Sequence, residues 1–162
     1  MTTRFRERFA LSPNHHVSPA HERKGVLVHH SVMAYEATIA RMQDSASEVS
    51  YHVLISSSGE RCTLVPDIAV AWHAGASDFR GRKRCNDFLL GLAFAGDTYR
   101  EPLSPEQIDS SLEWLAQRWA ALGWTTDWVI DHRQVAPGRK DDLNPVEWAR
   151  FQAALRARFG PG

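Results

Sequence analysis

Cysteine is scarce in this sequence: Cys62 and Cys85 are the only two among 162 residues. Two are too few to staple a secreted scaffold, so they read as reduced thiols in a protein held by its apolar core. Neither charge is in surplus, with 19 Lys and Arg against 19 Asp and Glu. That balance argues against a chain that coats nucleic acid or an anionic membrane, since both need a basic excess. No apolar run approaches the roughly 18 residues of a membrane span. The Arg4, Arg6, Glu7 and Arg8 stretch is not followed by the apolar segment of a signal peptide, so the expected location is cytoplasmic. Repeats and low-complexity tracts are missing too. The length suits one domain, and 43% hydrophobic with 23% charged residues excludes wholesale disorder.

What is present in excess is histidine and tryptophan, eight and six residues. Residues 1–24 are polar, carry Pro13 and Pro19, and read as an irregular lead-in with a solvated His15-His16 pair; the domain proper is expected over 25–162. Gly25 to His30 reads as a buried strand. Tyr35, Ile39 and Met42 share one helical face over 35–43. Tyr51–Ile55 and Arg61–Val65 read as strands joined by a hairpin loop with Gly59, Val70–Trp72 as a short strand, and Phe88–Phe94 as a central strand covered on both faces. Ser104-Pro105-Glu106-Gln107 and Asn144-Pro145-Val146-Glu147 each give a helix start. Apolar stripes follow both, and Gly123 stops the first. Between them Trp128–His132 reads as a further strand. Strands and helices interleave, which predicts a mixed α/β (α+β) domain: a central mixed β-sheet flanked by helices.

Two strands end in histidine, at His29-His30 and at His132. Successive strand residues face opposite sides, so one of His29 and His30 should reach a shared site. The Pro137-Gly138 loop can turn a carboxylate, Asp141 or Asp142, back toward the strand end. Two imidazoles and one carboxylate are a donor set for a catalytic zinc with its fourth position open.

At this point the segments Val26–Ser31, Ser50–Ile55, Ala71–Gly75, Gly81–Phe88 and His132–Pro137 with Arg139–Asp142, in this order, carry a resemblance. The chain resembles the zinc-dependent N-acetylmuramoyl-L-alanine amidases, the superfamily of AmpD, phage lysozymes and peptidoglycan recognition proteins, and is most similar to the AmpD branch. The resemblance covers about residues 25–158 and implies hydrolysis of the amide between N-acetylmuramic acid, or its anhydro form, and L-alanine. It also implies one zinc per chain, held by His29, His132 and Asp142. Lys140 matches the family's catalytic lysine, and Tyr51 the tyrosine that phage-type members place beside the metal. His30, Trp72, His73, Arg84 and Asn86 are implied to border the substrate groove, while Arg80, Arg82 and Lys83 read equally well as solvated charges. The AmpD branch carries a glutamate in the central strand where this chain has Ala93, and some members carry a cation where it has Glu48. The implied partner is a muropeptide or peptidoglycan fragment, met by a monomer. The alternatives are a wall-fragment binder that does not cut, a structural zinc domain closed by His30 or Asp141, and an endolysin that a phage holin releases.

Overall fold

The structure, a computed structural model, describes residues 4–162. Among the described residues, ten strands and four helices are found, six of the strands forming one sheet. The strands are β1 (Glu7–Phe9), β2 (His15–His16), β3 (Gly25–His30), β4 (Val53–Ile55), β5 (Arg61–Thr63), β6 (Val70–Ala71), β7 (Asp78–Phe79), β8 (Arg82–Lys83), β9 (Leu89–Phe94) and β10 (Val129–Asp131). The helices are α1 (Tyr35–Gln43), α2 (Pro105–Leu122), the single turn α3 (His132–Val135) and α4 (Pro145–Phe159). The sheet runs β1-β5-β4-β9-β3-β10 and is parallel except for the β4–β5 pair. This is the expected mixed sheet with helices packed on it.

Alternation along β3 and β9 builds the two faces. Val26 and Val28 of β3, with Leu90, Leu92 and Phe94 of β9, pack against Leu112 and Leu115 of α2 and Trp148 and Phe151 of α4. Their neighbours Leu27, His29, Gly91 and Ala93 point to the other side, where α1 and the long loops cover the sheet. The two long helices begin as the sequence predicts. The Ser104 hydroxyl accepts from the Gln107 N–H at 3.0 Å, and the Gln107 side chain accepts from the Ser104 N–H at 3.0 Å. The Asn144 side-chain oxygen Oδ1 accepts from the Val146 N–H at 2.9 Å. Gly123, at φ 66°, ends α2 in the left-handed region.

The lead-in differs from its reading. Residues 7–9 form an edge strand parallel to β5, and residues 15–16 pair with β6. Both strands are too short to show periodicity, and their partners lie about fifty residues away. The basic loop Arg80–Arg84 is likewise the tip and second strand of a small hairpin, β7–β8. Cys62 and Cys85 are buried free thiols, and burial pushes Cys62 up to about 11. They are unpaired, as the composition suggests.

Candidate metal centre and cleft

β3 and β10 are parallel neighbours, with Val28 paired to Asp131, so the next residues, His29 and His132, emerge side by side. Asp142 returns to them from the loop after α3. That return is fixed by backbone: the Arg133 N–H donates to the Asp142 carbonyl at 3.0 Å, and the Leu143 N–H donates to the Asp131 carboxylate at 3.1 Å. Asp131 is fully buried and also accepts from Arg133 Nε at 2.7 Å and Gln134 Nε2 at 3.0 Å, so the loop closes on a rigid base.

The Nδ1 atoms of His29 and His132 lie 3.0 Å apart, and each is 3.3 Å from an Asp142 oxygen. One donor atom from each of the three side chains falls within 4.8 Å of the others. All three residues are buried. His132 Nε2 sits 3.0 Å from the Ala74 carbonyl, which can only accept, so Nε2 carries the proton and Nδ1 presents its lone pair to the cluster. Burial, then His132 beside it, pushes His29 down to about 4, which leaves it neutral. Burial alone would raise Asp142, but His132 and His29 beside it outweigh that and hold the carboxyl below the usual range. Neutral imidazoles and one carboxylate converging on a point are the form in which these groups bind a divalent cation. The residues fit the metal that the sequence implies.

The cluster forms the floor of a cavity of about 260 Å³, with Tyr51, Trp72 and Lys140 on its walls. The Tyr51 ring centroid is 5.2 Å from that of His29, and burial, then Asp142, pushes its phenol up, so it keeps its proton. Tyr51 precedes β4 rather than lying in it. Trp72 donates through Nε1 to His16 Nδ1 at 2.8 Å, which ties the lead-in to the groove wall. His30 turns to the opposite face, as alternation requires. Its Nδ1 accepts from the Thr98 N–H at 3.1 Å, and the residue is still among those that line the cavity. Two of the expected groove residues are placed elsewhere. Arg84 pairs with Asp87 at 3.4 Å on a separate depression with Arg82 and Lys83. The Asn86 oxygen accepts from the N–H groups of His73 at 3.1 Å and Ala74 at 2.8 Å, behind the site. His73 meets His29 edge-on, is 8% exposed, and is among the residues that line the cavity.

Two contributors escaped the sequence reading. Arg41, near the end of α1, lines the cavity mouth. Its signal was available: a cation one residue before Met42, the last apolar position of the amphipathic face. Gly91 is the second. A Cβ there would stand 2.7 Å from the His73 ring, so only glycine lets that ring approach the sheet.

His52 follows Tyr51 but belongs to the scaffold. Its Nδ1 accepts from the Gly91 N–H at 2.9 Å and its Nε2 donates to the Ala69 carbonyl at 2.8 Å, which leaves no site for a second proton. Burial, partly offset by the Ala69 bond, pushes it down to about 4. A folded-state value below the unfolded ~6.5 means the unfolded chain binds the proton first. Stability from this group is therefore full above pH 6.5. It falls by about 1.4 kcal/mol per pH unit toward pH 4, and by about 3 kcal/mol in all. Urea unfolding of the metal-free protein at pH 7 and pH 4.5 should show the loss, and His52→Gln should flatten the slope. Equal slopes would contradict the buried-neutral assignment.

Fold and site together describe a mixed α/β domain in which two histidines and an aspartate that could hold a divalent cation line a cleft. The family model for N-acetylmuramoyl-L-alanine amidases matches residues 19–145, and the chain belongs to that family. It is 38% identical over 124 residues to the 1,6-anhydro-N-acetylmuramyl-L-alanine amidase AmpD of Citrobacter freundii, covering 75% of this chain and 62% of that protein. AmpD of Enterobacter cloacae is 31% identical, over 91% of this chain and 89% of its own. The amidase AmiD of Escherichia coli is 30% identical over 87% of this chain and 56% of its own. The chain thus spans somewhat less than two thirds of the length of several relatives. A crystal structure of AmpD superposes with a TM-score of 0.80 at 27% identity, over 92% of this chain and 94% of that one. An AmiD complex with anhydro-N-acetylmuramic acid-L-Ala-D-γ-Glu-L-Lys gives 0.72 at 26%, over 82% of this chain and 57% of that one. No helix among the described residues is long and apolar enough to cross a membrane.

Proposed function

We propose that the domain over residues 25–162 hydrolyses the amide between N-acetylmuramic acid, or its anhydro form, and L-alanine in muropeptides, with one zinc ion per chain held by His29, His132 and Asp142. The observation that carries this reading is the convergence of those three side chains on the floor of a cavity walled by Tyr51 and Lys140. A zinc ion held there supplies Lewis acidity and makes a water reactive near neutral pH. The chain's own groups do the rest. Trp72 offers an indole face to sugar or peptide, and Arg41 at the mouth faces the peptide carboxylates. Lys140 offsets the negative charge that develops on the carbonyl oxygen as the amide is attacked. Tyr51, protonated throughout the working range, orients the carbonyl or the attacking water and relays the proton to the leaving nitrogen. Ala93 cannot do this; it is paired in register with His29, buried, and packed among Ile39, Met42 and Leu54.

Names of the relatives favour soluble anhydro-muropeptides over intact wall, and with them a monomer recycling wall fragments in the cytoplasm without nucleic acid or membrane. Incubating the zinc-loaded protein with anhydro-muropeptide, and separately with intact sacculi, tests the reading. Release of peptide beginning with L-alanine, faster from the soluble substrate, is expected. Reversal of that preference would favour the endolysin reading. Binding of muropeptide without product would favour the non-catalytic alternative, for which Ala93 is the specific observation.

A further inference from the structure

We infer that His73 is a positioning residue for the metal: it fixes which nitrogen of His29 faces the ion. The inference rests on the metal-site reading above. Its basis is a chain of hydrogen bonds that admits one direction. His73 Nε2 lies 3.1 Å from the Leu89 carbonyl, which can only accept, so Nε2 carries the His73 proton. In a neutral imidazole the other nitrogen is then an acceptor. That nitrogen, Nδ1, lies 2.9 Å from His29 Nε2. His29 must therefore donate through Nε2, and its Nδ1 is left bare toward His132 and Asp142. The two rings meet nearly at right angles, 89° with centroids 5.1 Å apart, so the His73 lone pair points at the edge of His29 rather than its face.

The surroundings are built for this contact. His73 is buried, and both its ring nitrogens are engaged. Gly91 leaves the space that the ring occupies. The next residue serves the second histidine in the same way, since the Ala74 carbonyl accepts from His132 Nε2 at 3.0 Å. One two-residue segment thus sets the tautomer of both imidazoles. Asn86 pins that segment by accepting from both of its N–H groups, and Arg139 donates to the Ala74 carbonyl at 2.7 Å. The carboxylate or carbonyl that usually stands behind a metal-bound histidine is here, for His29, a third imidazole.

The test reads zinc affinity, not turnover. Zinc dissociation constants are measured by competition with a chromophoric chelator for the parent chain, His73→Phe, His73→Asn and His73→Gln. Asparagine puts its amide oxygen where Nδ1 stands, and glutamine carries its amide on to the Nε2 position. His73→Phe and His73→Gln should weaken zinc binding by about 10- to 100-fold, the usual cost of losing such a partner. His73→Asn should stay close to the parent. If His73→Phe does not fold, the Asn and Gln pair decides alone. Parent-like affinity in His73→Gln, or an equal loss in the Asn and Gln variants, overturns the inference while leaving the metal site intact. Failure of the parent to bind zinc at all overturns the metal reading and this inference together.

Discussion

Replacing Asp142 with alanine is expected to strip the chain of its zinc and abolish amide hydrolysis, while Asp141→Ala leaves both near the parent level. The two carboxylates are adjacent in sequence and differ in what they touch. Asp142 places an oxygen 3.3 Å from each histidine Nδ1, whereas Asp141 contributes its backbone carbonyl, which accepts from the Tyr99 hydroxyl at 2.7 Å. A tightly held zinc is worth about 10–16 kcal/mol over four ligands. One ligand is therefore worth about 3 kcal/mol, and its loss should raise the zinc dissociation constant by roughly two orders of magnitude. Removing the only anionic donor of the three should cost at least that. Metal content by mass spectrometry and peptide release from anhydro-muropeptide check both halves. Full zinc occupancy in Asp142→Ala, or loss of zinc in Asp141→Ala, would overturn the ligand assignment. Because zinc binds the folded chain and not the unfolded one, chelation should also lower the melting temperature of the parent and leave that of Asp142→Ala unchanged.

How far the sequence carries can be seen from particular residues. β3 is legible over its whole length because Gly25–His30 is a continuous apolar run ending in two histidines, and every residue of it is buried. The starts of α2 and α4 are legible because capping chemistry is local: Ser104 and Asn144 need only the N–H groups two or three residues on. Strand alternation says that one of His29 and His30 enters the site, the family resemblance selects His29, and the structure sends the two to opposite faces. Local pattern fails where a partner is distant. The edge strand Glu7–Phe9 exists because residues 61–63 run beside it, and nothing in three residues announces that. Arg84 and Asn86 belong to a segment that carries the resemblance, yet the hairpin Asp78–Lys83 and the turn after it direct one away from the cleft and the other beneath residues 73–74. Their motif reports an architecture around the site more than a list of groups facing substrate. His73 is the clearest case. Its place by the groove was visible, but its contact with His29 depended on Gly91, eighteen positions along the chain and on another strand.

Ala93 makes the division of labour between Lys140 and Tyr51 the most informative kinetic question. Lys140→Ala should lower kcat by about 10²- to 10³-fold, the usual cost of removing one preorganised donor to a developing oxyanion, with zinc content unchanged. KM should move little, because the charge that the ammonium meets is absent from the ground-state amide. Tyr51→Phe keeps the ring that packs beside His29 and removes only the hydroxyl. If the phenol relays the proton, the loss in kcat should again reach about 10²-fold, and it should shrink for a synthetic substrate whose leaving group needs no proton. Lys140→Ala should show no such dependence on the leaving group. The double variant then separates the roles. Two groups acting on the same oxyanion give a combined loss smaller than the product of the single losses, whereas a charge stabiliser and a proton donor acting on different atoms give losses that multiply. Unchanged turnover in Lys140→Ala would remove the lysine from the mechanism. A Tyr51→Phe loss independent of the leaving group would make the phenol an orienting group alone, and the proton would then have to come from another group lining the cavity.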